Sequence, residues 1–488
     1  MSAFEALSSL LRERHLYGTA ASTLGWDQET YLPPGAVSHR AAQLALLSGK
    51  IHELGTCDDF RAALEAAEDE GLSGEAANLR EIRHHFDRAT CLPQELVEES
   101  SRVASLAKAA WAKARSENDF PAFAPHLEKL LEIAREKAEA WGYEDEPYSA
   151  LLSGYERAAT TAEVAAVLQE LRPEVAGIAA EAVARSKEVP SDALAGPAPI
   201  AAQQTLNREV AESLGFDFES GRIDTTTHPF CTTLGPNDVR LTTRYDENDF
   251  ASSLFGVLHE AGHGLYEQGL PGGEAHLPSG DAVSLGIHES QSRLWENHVC
   301  RSRPFWEKWL PRTKELFPHL SGLDLDQFLA AINRAQFSFI RVEADEATYD
   351  LHIILRFMIE RRLLNGELAV ADVPAAWNEL FAELFGMTPT SDSEGCLQDI
   401  HWSMGGLGYF ATYTLGNLNS AQLFQSAMTD PAIASAFAKA DTAPLLKWLQ
   451  EKVHAHGATL LPQELMESAT GDRTSAEPYL AHLRSRFL

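Results

Sequence analysis

The segment Leu254-Phe255-Gly256-Val257-Leu258-His259-Glu260-Ala261-Gly262-His263-Gly264-Leu265-Tyr266-Glu267 carries an H-E-x-x-H pattern in His259, Glu260 and His263. On a helix, residues four apart share a face, so both imidazoles reach one metal ion. Glu260 then projects beside the ion's open position, where it takes a proton from water. This is a zinc-peptidase arrangement and makes peptide-bond hydrolysis the leading reading. The flanks predict the helix as well. Asp246, Asn248 and Asp249 are N-cap candidates before the apolar run Phe250, Leu254, Phe255, Val257 and Leu258, and Gly269 with Pro271 ends it.

A catalytic metal needs a third protein ligand and one open position. Ile287 to Asn297 is predicted to form a second amphipathic helix, with Ile287, Leu294 and Val299 on its apolar side. Glu289 lies 26 positions after His263 (289 − 263), across a loop that includes Pro271, Gly272, Gly273 and Gly280. Two antiparallel helices joined in this way converge on one ion. Spacing alone leaves Glu296 and Glu274 as alternatives to Glu289, and leaves His288 as a core imidazole or a support for a ligand.

Further motifs follow in order: His228-Pro229-Phe230, Asp238-Val239-Arg240-Leu241-Thr242, His288-Glu289-Ser290-Gln291, Ile340-Arg341-Val342-Glu343-Ala344-Asp345 and Gly395-Cys396-Leu397-Gln398-Asp399-Ile400-His401-Trp402. The N-terminal Leu24-Gly25-Trp26-Asp27-Gln28-Glu29-Thr30-Tyr31-Leu32-Pro33 precedes them. With H-E-x-x-H in its place among them, the chain resembles the carboxypeptidase Taq family of zinc metallocarboxypeptidases over nearly its whole length. The resemblance implies Glu289 as the third ligand and zinc as the metal, with cobalt as the alternative native or activating ion. It further implies release of single C-terminal residues from peptides with a free C-terminus, with broad specificity and proline poorly accepted. The implied architecture is an elongated, mainly α-helical homodimeric enzyme, with an N-terminal helical cover over the groove.

The residues also suggest how the chemistry is completed. His401 is the candidate partner for the tetrahedral oxyanion, with Tyr409 or Tyr413 assisting and Gln398 as a further polar contact. Asp399 is expected to orient His401 or a metal-bound histidine. A carboxypeptidase must also hold a free carboxylate, which a planar guanidinium does best. Arg341, on a predicted helix over Ser338–His352, competes with Arg240 and Arg356 for that task. The bland alternative for Arg341 is an ion pair with Asp345.

Residues Arg222 to Tyr245 are dense in β-branched side chains and predict a small hairpin. Its edge strand would pair with an extended peptide, making Asp238 and Arg240 site-shaping residues, with Thr242 on the same face. His228 would order the strand's entry or touch substrate; as a fourth ligand it would close the water position. Elsewhere the chain reads as helical. Breaks are expected near Pro33-Pro34, Gly55-Thr56, Gly71 to Gly74 and Pro93, a linker over Ser186 to Pro199, and loops near 271–283 and 388–396. The expected organisation is one metallocarboxypeptidase domain over 1–488, with 1–200 as helical cover and half-groove and 201–488 as the zinc-bearing part.

A formal charge of −31 over 488 residues argues against nucleic acid or anionic membrane as partners. Five scattered cysteines suggest a reducing compartment, and no basic leader or eighteen-residue apolar run is present, so a cytoplasmic enzyme is expected. Two rivals remain. An oligo-endopeptidase would share every metal residue and lack the carboxylate anchor. A catalytically silent scaffold is opposed by the intact Glu260.

Overall fold

Long apolar-striped helices dominate the first part of the chain, and each stops where its sequence cannot continue. Ala3–Thr30, Val37–Thr56, Asp58–Glu70, Ala76–Thr90 and Gln94–Glu117 are separated at Pro33-Pro34, at Gly71 and at Pro93, as expected, and at Cys57, just past the break expected near Gly55-Thr56. Gly71 ends its helix in the left-handed region, at φ 67°. The computed structural model describes residues 2–488. Twenty α-helices and one three-stranded sheet are present among them.

The chain forms two compact units, each from separate segments. The first unit gathers residues up to Ala89 with Ser191–Ile332 and Asn419–Arg473. Its main core joins Leu206, Val210 and Leu214 to Leu241 of the sheet, and to Leu254, Val257, Leu258 and Leu265 of the H-E-x-x-H helix. A smaller core of Phe4, Leu7, Phe60, Leu64, Ile82 and Phe86 ties its N-terminal helices together. The second unit gathers Thr90–Pro190, Asn333–Leu418 and Thr474–Leu488. Within it Phe123, Leu127, Tyr148, Leu171, Ile353 and Trp377 are buried. The boundary at Pro190 falls in the expected linker, whose residues beyond the short turn Ser186–Glu188 are irregular as far as Pro199.

The sheet belongs to the first unit and holds strands β1 (Gly221–Thr225), β2 (Cys231–Gly235) and β3 (Asp238–Thr243) in the order β1-β3-β2. β2 and β3 form the expected hairpin, turning through Asn237 at φ 61°. β1 adds in parallel to the other side of β3, pairing Arg222 with Arg240. Asp238, Arg240 and Thr242 therefore lie on the central strand and not on an edge. The pairing side that a lone hairpin would leave open on β3 is taken by β1, so the hairpin's edge is β2.

The stretch Leu24 to Pro33 is explained by this sheet. The Arg240 guanidinium stacks on Trp26, 4.1 Å from the ring centroid. The Tyr31 hydroxyl donates to Asp224 at 2.5 Å, and the Thr226 hydroxyl donates to the Glu29 carbonyl at 3.0 Å.

Two further expectations are corrected. Ser338–His352 is not one helix. It holds a single turn at Arg341–Glu343, and the helix begins at Tyr349. The cause is local: the Asp345 carboxylate accepts from the Gln336 and Ala347 amides at 2.8 and 3.0 Å and from the Thr348 hydroxyl at 3.1 Å, which gives the backbone an alternative to helix. The second predicted helix is α-helical only over Leu285–Arg293, then widens into a π turn at Leu294–Val299.

Candidate active site

The H-E-x-x-H helix spans Phe250–Gly269, and Asp249 caps it by accepting from the Ala251 and Ser252 amides. The ligand helix Leu285–Arg293 is capped by Ser284, which accepts from the Ile287 amide. Gly262, between the two histidines of the motif, lets these helices touch. A Cβ there would lie 2.5 Å from Ser292 Cα and 2.7 Å from the Gln291 carbonyl oxygen.

That approach brings three candidate ligand atoms together. Glu289 Oε2 lies 3.7 Å from His259 Nε2 and 3.5 Å from His263 Nε2. A tetrahedral ion with bonds of about 2.1 Å has edges of about 3.4 Å, so the donor set fits a divalent metal. The other atoms of these side chains are tied back. His259 Nδ1 is 3.0 Å from Glu296 Oε2, and Glu289 Oε1 accepts from Arg293 Nε at 2.7 Å. His263 Nδ1 is 3.1 Å from the His288 carbonyl oxygen and 2.6 Å from the His288 ring. His288 Nε2 in turn meets Glu267 at 2.7 Å, and Glu267 accepts from the Thr233 hydroxyl at 2.6 Å. Each ligand thus presents a fixed atom, as metal-binding side chains require.

Electrostatics follow from burial. Burial, reinforced by the neighbouring imidazole of His288, lowers His263 to about 4, so it is neutral and able to ligate. Burial also lowers His259, but the carboxylates of Glu289 and Glu296 outweigh it and raise His259 to about 8. Burial would raise Glu289, yet Arg293 and the two histidines hold it well below the usual carboxylate range. At Glu260 burial, helped by the charges of Glu289 and Glu296, outweighs the opposing charges of His259 and His288 and pushes it up to about 7, the range of a general base that works at neutral pH.

In the second unit, Arg341, Arg356 and Asp399 form one buried cluster. Asp399 Oδ1 accepts from Arg341 Nε and Nη2 at 3.0 and 2.8 Å, and Oδ2 accepts from Arg356 Nε at 2.6 Å. Arg341 thus pairs with Asp399 and not with Asp345, which spends its carboxylate on backbone amides. Two guanidiniums against one carboxylate leave one positive charge in excess (2 − 1), a setting suited to an anion. Arg341 also donates to the Tyr349 hydroxyl at 2.9 Å, and its amide donates to Gln398 Oε1 at 2.8 Å. The Gln398 side-chain amide donates to the Phe339, Glu394 and Gly395 carbonyls, which commits it to holding this segment.

His401 is beside the cluster, but its Nδ1 lies 4.0 Å from Asp399, too far for the expected orienting hydrogen bond, because the two arginines occupy that carboxylate. Burial lowers His401 to about 4, so it is neutral. Its ring lies 5.1 Å from that of Tyr409 and 6.3 Å from that of Tyr413. Buried Glu360 fixes the segment that carries them, accepting from Trp402 Nε1 at 2.8 Å and from the Gly408 amide at 3.1 Å.

His228 is exposed in the connection between β1 and β2. Arg240 is held by Asp238 in a two-bond pair at 2.8 and 2.9 Å. Sequence reasoning missed Glu360 and the supporting roles of Arg293 and Glu296. Arg293 follows Glu289 by four and Glu296 follows it by seven (296 − 289), spacings that place all three on one face.

The carboxypeptidase Taq (M32) metallopeptidase family model matches residues 6–487. The chain belongs to this family. It is 40% identical to thermostable carboxypeptidase 1 of Thermus thermophilus, over 100% of this chain and 98% of that one. Against carboxypeptidase 1 of Bacillus subtilis it is 35% identical over 98% of this chain and 96% of the relative. The solved M32 carboxypeptidase from Deinococcus radiodurans R1 superposes with a TM-score of 0.96 at 39% identity, covering 99% of this chain and 98% of that one. As an M32 enzyme the chain is a metallocarboxypeptidase, a hydrolase of peptide bonds that uses a divalent metal, and it has the mainly α-helical fold of that family. No helix among the described residues is long and apolar enough to cross a membrane.

Proposed function

We propose that this M32 enzyme is a zinc carboxypeptidase of broad specificity that trims single residues from peptides with a free C-terminus. The convergence of His259 Nε2, His263 Nε2 and Glu289 Oε2 beside a buried Glu260 carries the reading. A divalent ion held by these three ligands supplies Lewis-acid polarisation of the scissile carbonyl and acidifies water. Glu260 accepts the proton of the attacking water and passes it to the leaving amine. Neutral His401 donates to the developing oxyanion, with Tyr409 or Tyr413 as second donor. The guanidinium of Arg341, in a cluster with surplus positive charge, takes the substrate carboxylate. His228, Asp238, Arg240 and Gln398 shape the surroundings of the peptide. Zinc is the proposed native ion, with cobalt as an activating substitute. The enzyme is proposed to work as one catalytic domain over 1–488, with 1–200 as cover and 201–488 as the zinc-bearing part, in a cytoplasmic homodimer.

Mass spectrometry of an N-blocked peptide beside its C-terminally amidated twin tests this reading. Stepwise loss of single residues from the free acid alone, abolished by chelation and restored by zinc, is the expected result. Internal cleavage of both peptides would move the activity to an endopeptidase. Light scattering in solution tests the dimer.

A further inference from the structure

Gln291 ends the motif His288-Glu289-Ser290-Gln291, and no step of the proposed reaction uses it. Its side chain is fully buried, two residues beyond the proposed ligand Glu289. Buried polar groups need partners, and those of Gln291 lead out of the ligand helix. Gln291 Nε2 donates to Ser290 Oγ at 3.0 Å, and Gln291 Oε1 lies 3.1 Å from His454 Nε2.

The direction of this chain of hydrogen bonds is fixed. Ser290 Oγ spends its own proton on the Ile287 carbonyl at 2.6 Å, so it can only accept from Gln291. That turns the amide nitrogen of Gln291 toward Ser290 and its oxygen toward His454. An amide oxygen only accepts, so His454 donates through Nε2–H. Burial, with the nearby His288, lowers His454 to about 3, so the ring is neutral and carries one proton. With that proton on Nε2, Nδ1 holds a lone pair, which fits its lack of a hydrogen-bond partner. Among the described residues, the one hydrogen bond of the His454 side chain therefore goes to the ligand helix.

The same ring touches the other metal helix. A Cβ on Gly269 would collide with His454 Nδ1, so the ring packs directly on the last turn of Phe250–Gly269. Its centroid is 5.1 Å from that of Tyr266, three residues after His263. His454 comes from a distant segment of the same unit, at the start of the turn His454–Thr459. Gly457, at φ 48°, seats that turn against the loop between the two helices, where a Cβ would collide with the Ser279 carbonyl oxygen. Residues two apart on a helix are separated by about 200° around its axis, so Gln291 and Glu289 leave on opposite sides. With Gln291 gripped by His454, the ligand helix cannot roll on its contact at Gly262.

Resting on the metal ligands assigned under the proposed function, we propose that His454 is a positioning residue for the metal centre. Wedged against Gly269, it holds Gln291 and so sets the rotation of the ligand helix that aims Glu289 at His259 and His263.

Zinc affinity of the full chain, read by competitive chelator titration well below each variant's Tm, tests the inference. His454→Phe keeps a ring against Gly269 and Tyr266 but removes the donor, and Gln291→Met removes the acceptor at similar volume. Each is expected to weaken zinc binding about tenfold, the low end for side chains that support a metal ligand. The double variant is expected to lose about tenfold as well, because both changes break one contact. His454→Gln supplies an amide donor in place of Nε2 and is expected to recover most of the affinity. If His454→Phe does not fold, Gln291→Met carries the same expectation alone.

A role in folding only would lower Tm and leave the zinc affinity of the folded variants unchanged, which would overturn the inference. So would losses that multiply in the double variant, or a His454→Gln protein as weak as His454→Phe. Glu289→Gln in the same titration separates the two claims. If it loses zinc affinity while His454→Phe and Gln291→Met do not, only the role of His454 falls. If it too binds zinc unchanged, the ligand set itself is wrong and the inference goes with it.

Discussion

Single atoms decide the geometry of the metal centre. Gly262 is the tightest constraint, because any Cβ there enters the backbone of the ligand helix. Gly262→Ala should cost about 1–3 kcal/mol through forced separation of the two helices. Metal affinity should fall with it, since Glu289 is withdrawn from both histidines. Thermal unfolding and a competitive chelator titration check both effects. Glu296 acts one step further out. It touches no substrate but fixes the His259 ring, so Glu296→Gln should weaken metal binding about 10–100-fold while KM for peptide stays near its original value. An unchanged metal affinity in the same titration would remove Glu296 from the centre.

At the scale of elements, the segment from His401 to Tyr409 is the part most dependent on a distant side chain. Glu360 lies in the helix Tyr349–Leu364 and holds Trp402 and Gly408 at once. Glutamine can accept through only one of its two end atoms, so Glu360→Gln should loosen the segment and lower kcat more than it alters KM. A pH signature accompanies this. Burial raises Glu360 to about 7 in the folded state, from about 4.5 when unfolded. Between these values the folded state holds the proton and the unfolded state does not, so the contribution of Glu360 to stability is complete below pH 4.5 and is lost as pH rises to 7. Glu360→Gln should flatten the fall of Tm with pH across that window. If the pH profiles of Tm coincide, the assignment is wrong.

These elements also show what a sequence can reveal. The H-E-x-x-H helix was legible because its spacing, its Asp249 cap and its Gly269 stop all agree, and the family's motif order singled out Glu289, whose carboxylate lies within 3.7 Å of both histidines of the motif. The partner of Arg341 was not legible. Asp399 is 58 residues away (399 − 341), whereas Asp345 stands one helical turn on in a segment that reads as helix. Tertiary hydrogen bonding to Asp345 overrode that local preference, and no spacing rule points to Asp399. β1 was missed for a similar reason, since its parallel partner β3 follows it in sequence only after β2, which leaves no short-range turn signal.

For the whole molecule, charge is the dominant global property. A net charge of −31 opposes compaction through self-repulsion, and salt screens it. Tm should therefore rise between low salt and about 0.15 M sodium chloride, where the Debye length is about 8 Å. A flat or falling Tm would mean that local ion pairs such as Arg83 with Glu68 outweigh the global field. Removing the metal should act in the opposite direction. An ion that binds the folded state alone stabilises it by RT ln(1 + [L]/Kd), so chelation should lower Tm and added zinc should restore it in a concentration-dependent way.

The metal-binding groups arise from one contiguous stretch. His259 to Arg301 contains the three proposed ligands and the charged side chains that hold them, within a unit stitched from three distant segments. The two ligand helices are tethered by a loop that is exposed at Gly272 and Gly273. A protease that severs this loop removes the tether and leaves all three ligands in place. In the nicked chain an ion held by the three proposed ligands would bridge the two helices alongside their packing at Gly262, a removable staple that chelation would withdraw.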